Sequence, residues 1–207
     1  TDTKVDHGVP VALLGSASTN TTLMLDVLDT AAARKLVGSL VYLDVKQEDA
    51  DLRVIGQIAR VEMRNRWHEQ DTIRSLLKTG RSVEHLSGDQ DIRSARLSIG
   101  SVFSYQQADS EPAFWTHDIL GTVPPSATRI RRLTQDVLNE LVARERTETM
   151  VFGTAYGDDD VQLPMYLRHF GSPEEGGQGE AYHTLVVGKT GSGKSTLAKM
   201  LLAGYAR

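Results

Sequence analysis

A glycine-rich octapeptide carries the residues of this chain that most clearly predict chemistry. It fits the pattern G-x-x-x-x-G-K-[ST] at every specified position and reads Gly188-Lys189-Thr190-Gly191-Ser192-Gly193-Lys194-Ser195. Glycines let backbone N–H groups converge on an anion at the positive end of the following helix. The pattern therefore predicts a phosphate-binding loop (P-loop) for ATP and Mg²⁺, and we estimate the probability of a chance match at roughly one in a hundred.

Each residue of the loop has a predicted role. Lys194, the candidate catalytic residue, is expected on the β and γ phosphates, and the Ser195 hydroxyl on Mg²⁺. Thr190 and Ser192 are expected to contribute backbone donors and shape. Thr196, which follows the motif, is a candidate contact of the α phosphate.

The elements around the loop are those that such a loop needs. An apolar strand, Leu185 to Val187, is predicted to enter it, and a helix with Leu197, Met200 and Leu201 on one side is predicted to leave it. A Gly-, Ser-, Pro- and Glu-rich stretch precedes these elements and predicts a linker at 171–180. We therefore expect a domain at 1–170 and the incomplete start of a second domain at 181–207.

The first domain shows short apolar runs at about ten-residue spacing, which is typical of a small antiparallel barrel. Gly38 and Gly56 stand inside two of these runs and predict bulges or corners. A short helix is expected from about Glu69 to Leu77, and strand character returns at Ala95 to Tyr105. The predicted class is α+β: a β-barrel with helical excursions, followed by the start of a RecA-like α/β P-loop core.

Two further elements are predicted before the linker. Ser126 is a candidate N-cap for a helix that carries Ile130, Leu133, Val137 and Leu141 on one face. Two strands, 150–155 and 161–166, are joined by a turn that contains Asp158, Asp159 and Asp160. We favour a hairpin turn over a metal site for these aspartates.

The segment from His183 to Ser195 resembles the strand and loop of the FtsK–HerA superfamily of DNA-pumping ATPases. The order of a small barrel, a Pro124-Pro125 element, a linker, His183 and the P-loop resembles HerA in particular. The barrel resemblance is one of pattern and order, whereas the loop motif is specific. For His183, packing at a strand start and sensing of nucleotide or DNA both stay open.

The resemblance implies a hexameric ring that threads double-stranded DNA through its centre and moves it by ATP hydrolysis. It also implies a partner nuclease of the NurA type in DNA end resection and repair, or a defence-system effector. The barrel would then serve ring assembly and partner docking.

Two alternatives stay open at the level of the sequence. The run Gly191-Ser192-Gly193-Lys194-Ser195-Thr196-Leu197 also resembles the loop of ABC-type ATPases, although about 180 residues precede it. The chain could also act as a non-catalytic interaction module. Only 12 residues follow Ser195 in this sequence, so we expect this polypeptide by itself not to hydrolyse ATP.

Composition limits the remaining classes. The 207 residues contain no cysteine, which excludes disulfides, thiolate metal sites and a cysteine nucleophile. The net charge is −4, so no global basic surface predicts nucleic-acid binding. No apolar run is long enough to cross a bilayer, and we expect a cytoplasmic protein without membrane contact.

Overall fold

The fold was derived from a computed structural model of the chain. The structure describes residues 8–79, 90–106, 114–143, 149–156, 158–166, 174 and 183–206. The predicted linker, 171–180, lies outside the described residues apart from residue 174.

Most of the described elements are strands. They are β1 (Pro10–Leu14), β2 (Thr22–Val27), β3 (Leu40–Gln47), β4 (Ala50–Asn65), β5 (Asp91–Gln106), β6 (Phe114–His117), β7 (Arg129–Arg132), β8 (Thr149–Ala155) and β9 (Asp158–Tyr166). The described helices are α1 (Asp71–Lys78), α2 (Gln135–Leu141) and α3 (Lys194–Tyr205), with a 3₁₀ turn at Asp29–Ala31. The helix predicted near residue 70 and the hairpin of β8 and β9 are thus confirmed. The prediction that residues 158–160 form its turn is wrong, because they begin strand β9 and Asp158 pairs with Ala155.

Six strands close into an antiparallel barrel in the order β1, β2, β5, β4, β3, β7 and back to β1. Strand β6 extends the sheet beyond the closed ring by pairing with β5. The fold is therefore mostly β, and the predicted small antiparallel barrel is confirmed.

Gly56 lies opposite a bulge, as its position in an apolar run predicts, and the extra residue of this bulge is Gly100 in β5. The register between β4 and β5 shifts between Ile55 and Gly56. A Cβ atom at Gly56 would collide with the backbone carbonyl of Ser98 and lie 2.8 Å from the Leu97 Cδ1 atom. The close approach of the two strands at this corner therefore requires glycine.

The barrel interior is filled with aliphatic side chains and is not a pore. Its fully buried members come from all six barrel strands, and the largest are Leu14, Leu23, Leu25, Leu43, Leu52, Ile58, Leu97 and Ile130. Burial of each such side chain contributes about 2 kcal/mol to folding. The barrel thus has a hydrophobic core of its own.

A second core lies on the outer side of the barrel wall, where α2 and the β8–β9 hairpin pack. Its buried members are Tyr42, Leu133, Val137, Leu141, Ala155 and Val161. This second core holds the helical excursion against the barrel.

The helix predicted to begin at Ser126 is wrong in its first two turns. Ile130 and Arg131 belong to strand β7, which pairs with β1 and β3 and closes the barrel. The helix begins only at Gln135, where the Thr134 hydroxyl accepts a hydrogen bond from the Val137 backbone N–H at 3.4 Å. The pairing partners on both sides of β7 outweigh the helical spacing of the apolar residues.

Candidate nucleotide-binding loop

The predicted entry strand of the loop is not formed in this structure. Residues 183–189 belong to no strand, and Leu185 and Val187 are 87% and 77% exposed. A strand needs a hydrogen-bonded partner, and the described part of the chain places none beside this segment. The strand at 185–187 is therefore a failed prediction for this structure.

The loop itself turns at two glycines. Gly191 and Gly193 both have φ of +79°, in the left-handed region that disfavours other residues. A Cβ atom added at either glycine would have no neighbour within 4 Å, so the space beside both positions is open. An open, glycine-lined turn is the backbone shape that a phosphate group needs for close approach.

Helix α3 begins at Lys194, directly after the left-handed Gly193. The Leu197 backbone N–H donates to the Gly193 carbonyl at 2.9 Å, which forms the first turn. The first N–H groups of a helix have no intrahelical acceptor, so those of Lys194, Ser195 and Thr196 are oriented for an anion.

The Lys194 side chain folds back over the loop. Its Nζ atom donates a hydrogen bond to the Lys189 carbonyl at 2.6 Å, and the Ser192 backbone N–H donates to the same carbonyl at 3.2 Å. The ammonium group therefore lies across the turn. A phosphate group that enters the turn would offer charged oxygens in place of this neutral carbonyl, which strengthens the hydrogen bond.

The electrostatics of this segment favour an anion. Residues 183–206 contain three lysines and neither Asp nor Glu, within a chain of net charge −4. The hydroxyl-bearing residues Ser195 and Thr196 are exposed at the helix start. The donor set of N–H groups, one ammonium and hydroxyls fits a nucleotide triphosphate with Mg²⁺ better than a metal ion alone.

His183 is exposed and stands at the first described position before the loop. The described residues show no hydrogen bond or ion pair between it and the loop. The structure therefore brings together the residues from Gly188 to Thr196 but does not join His183 to them.

The sequence reasoning missed a second polar cluster, centred on Arg53 of β4. The Arg53 side chain is only 4% exposed, donates through Nε to Asp44 Oδ1 at 2.8 Å, and donates through Nη1 to Glu140 Oε2 at 3.0 Å. Its guanidinium carbon lies 4.6 Å from the centre of the Trp115 ring and 5.1 Å from that of Tyr42. An arginine between Leu52 and Val54 in an otherwise apolar strand is the signal that could have revealed it.

Burial by itself lowers the pKa of Arg53, but the hydrogen bonds and charge of Asp44, with those of Glu140, outweigh it and raise the pKa above its ordinary value. Arg53 therefore stays charged. Burial, and then the charge of Asp44, raises the pKa of Tyr42 above 10.0. These shifts indicate a structural ion-pair cluster, because the cluster lies under α2 and not in an open cleft.

The comparisons with known proteins leave the family open: no family model matches the chain, and no curated protein matches it. Over the described ranges, no three His, Cys, Asp or Glu side chains are grouped to hold a metal ion. None of the described helices has the length and apolar character to cross a bilayer.

Proposed function

We propose that the chain is part of an ATP-driven, hexameric translocase of double-stranded DNA, similar to the FtsK–HerA superfamily. The observation that carries this proposal is the junction at Gly193 and Lys194. A left-handed glycine leads directly into a helix, and the first helical residue is the lysine whose ammonium group already spans the turn.

The proposed ligand is ATP with Mg²⁺, whose hydrolysis would supply the energy for movement. The backbone N–H groups of 191–196 would hold the phosphates, and Lys194 would neutralise the charge of the β and γ groups. The Ser195 hydroxyl would be the protein's ligand to Mg²⁺. The remaining loop residues, Gly188, Lys189, Thr190 and Ser192, would shape the turn.

We further propose that 181–207 form the first strand, loop and helix of a RecA-like core. The glycine turn at 191–193 and helix α3 support this proposal. Leu185 and Val187 are apolar and exposed, which supports a strand that forms when neighbouring strands cover it. Without those neighbours, nucleotide binding by this polypeptide should be weak.

The barrel supports the part of the proposal that concerns ring assembly and partner docking. A closed barrel with its own core can act as a rigid collar for ring assembly. In this proposal it also docks a nuclease of the NurA type or a defence-system effector. Since the net charge is −4, the barrel fits an outer collar better than a surface that grips DNA.

The test is ATP turnover by the protein that carries this chain, with and without linear duplex DNA. We expect duplex DNA to stimulate turnover, Lys194→Ala to reduce it by at least about a hundredfold, and Lys199→Ala to leave it unchanged. Lys199 is the matched control because it is an exposed lysine on the same helix. An ATP turnover rate that is unchanged in Lys194→Ala, or that duplex DNA does not stimulate, contradicts the proposal.

A non-catalytic interaction module is the second candidate. The specific observation in its favour is the exposed pair Leu185 and Val187 beside the loop, which could dock a partner. If this candidate is correct, ATP should bind neither the wild-type chain nor Lys194→Ala.

A further inference from the structure

The two long strands β4 and β5 carry a group of arginines near one end, which we call the arginine arm (residues 60–65 and 91–96). Strand β5 stays paired with β2 as far as Ser94, so only the outer part of the arm extends past the barrel. Arg60 and Arg96 are register partners and lie directly opposite each other, although like charges in this position are destabilising. Arg64 follows on the same face, opposite Ile92. Arg60, Arg64 and Arg96 are all exposed.

Internal ion pairs neutralise only part of the arm. Arg60 pairs with Glu62 at 2.7 Å, and Arg93 pairs with Asp91 at 3.4 Å. Within the described residues, Arg64 and Arg96 have no such carboxylate partner. As far as the structure describes the chain, the arm presents two guanidinium groups outside any ion pair. One of them, Arg64, lies opposite Ile92, which is 44% exposed.

The opposite end of the same strands is acidic. The β3–β4 turn presents exposed Glu48 and Asp49, and the neighbouring loop presents exposed Asp118. The Gln47 side chain ties this loop to the turn, since its Nε2 atom donates to the Ile119 carbonyl at 3.2 Å. We call residues 48–49 and 118–119 the acidic end.

The two ends are complementary in charge. Each also carries exposed apolar side chains among its charged groups: Ile92 and Met63 on the arm, and Ile119 at the acidic end, the last 76% exposed. An apolar centre with a charged rim is the usual composition of a protein–protein contact. Ten residue steps along β4, from Ala50 to Arg60, separate the ends by about 30 Å, so the arm of one chain cannot reach its own acidic end.

We propose that the arginine arm of one copy binds the acidic end of a second copy. Such a contact uses two different patches, so it is heterologous and propagates head to tail into a ring or a filament. The carboxylates of Glu62 and Asp91 within the arm disfavour a phosphate backbone as its ligand. The inference deepens the ring-assembly part of the proposed function. No residue of the loop takes part, so its failure is distinguishable from a failure of the proposed ATP site.

Sedimentation velocity of the chain without nucleotide tests the contact. We expect self-association at about 0.05 M salt and at least a tenfold weaker association at about 0.5 M salt. Arg64→Glu with Arg96→Glu should weaken self-association at least about tenfold, and Glu48→Lys with Asp49→Lys should do the same. Arg129→Glu replaces an exposed arginine of β7 outside the arginine arm and should leave self-association unchanged.

The decisive measurement is made on a mixture of the two double variants. Each keeps one intact surface, so the mixture should associate although neither variant does so alone. A wild-type chain that stays monomeric at both salt concentrations overturns the proposal, as does a mixture that fails to associate. The proposal is also overturned if the arginine arm binds duplex DNA and the chain does not self-associate. The Arg64→Glu, Arg96→Glu variant could be unfolded, which a circular-dichroism melt would show. In that case the Glu48→Lys, Asp49→Lys variant alone tests the proposal, since it should lose self-association while it stays folded.

Discussion

Arg53 of strand β4 and Glu140 of helix α2 form an ion pair, with 3.0 Å between Nη1 and Oε2. Glu140 also accepts a hydrogen bond at 3.2 Å through Oε1 from the Trp115 indole N–H, and Arg53 also binds Asp44 at 2.8 Å. One buried guanidinium therefore joins the barrel wall, the edge strand β6 and the helix. This contact explains how a short helix stays fixed on the outside of a barrel.

Replacement of Arg53 should loosen this attachment. We expect Arg53→Met to lower the free energy of unfolding by about 2 kcal/mol, because two carboxylates lose their partner. The cost stays below that of a fully buried pair, since Asp44 and Glu140 are about one-third exposed. Urea unfolding measures the change, with the exposed Arg129→Met as control. An Arg53→Met variant as stable as this control would contradict the assignment.

Glu140→Gln should be the milder change. The amide keeps an acceptor oxygen for Arg53 or Trp115 but loses the charge, so we expect a loss of about 1 kcal/mol. Trp115 fluorescence should also change, because its indole N–H contacts this side chain. An unchanged emission spectrum together with unchanged stability would show that the contact does not form in solution.

Tyr42 should make folding sensitive to alkaline pH. Its hydroxyl is buried and has no hydrogen-bond partner among the described residues, and burial raises its pKa above 10.0. A raised folded-state pKa gives stability that is fully present below the unfolded pKa and is lost as pH rises through the folded pKa. The free energy of unfolding should therefore fall above pH ~10 in the wild type.

The Tyr42→Phe variant isolates this contribution. It removes the unsatisfied hydroxyl and keeps the ring under Arg53, so below pH ~10 we expect equal stability or a gain of about 1 kcal/mol. Above that pH, the variant should lose less stability than the wild type. Identical pH profiles from the two proteins in urea titrations would refute the predicted role of this hydroxyl.

Gly56 should tolerate no side chain. Gly56→Ala places a Cβ against the Ser98 carbonyl, and we expect a loss of at least about 2 kcal/mol. Gly100→Ala is the matched control in the paired strand, because its Cβ would lie 3.6 Å from the nearest atom, in ordinary contact. Thermal melts of both variants measure the difference, and equal melting temperatures would contradict the close approach of β5 to β4 at Gly56.

The barrel could be predicted from the sequence because short stretches of residues indicate its strands and turns. Apolar runs broken by turn residues locate most strands, and a glycine within a run such as Gly56 indicates a bulge. Strand β7 was missed because it is only four residues long and because Ile130 fits the spacing of the following helix equally well. Its identity depends on pairing with β1 and β3, which are distant in the chain.

The candidate site was predictable only in part for the same reason. The motif places the glycines, Lys194 and Ser195 without any knowledge of the fold, since a loop and helix are local structures. The strand at 185–187 failed because a strand depends on neighbours. The Arg53 cluster was missed because Arg53 and Glu140 are 87 positions apart in the sequence.

Titration of the protein that carries this chain with a fluorescent ATP analogue and Mg²⁺ tests the central claim most directly. We predict saturable binding that Lys194→Ala weakens at least about tenfold and that Lys199→Ala does not change. Inorganic triphosphate should compete for the site, because the loop holds phosphates and not the base. Absence of binding, or binding that is equal in wild type and Lys194→Ala, would contradict the assignment of 188–196 as a nucleotide-binding loop.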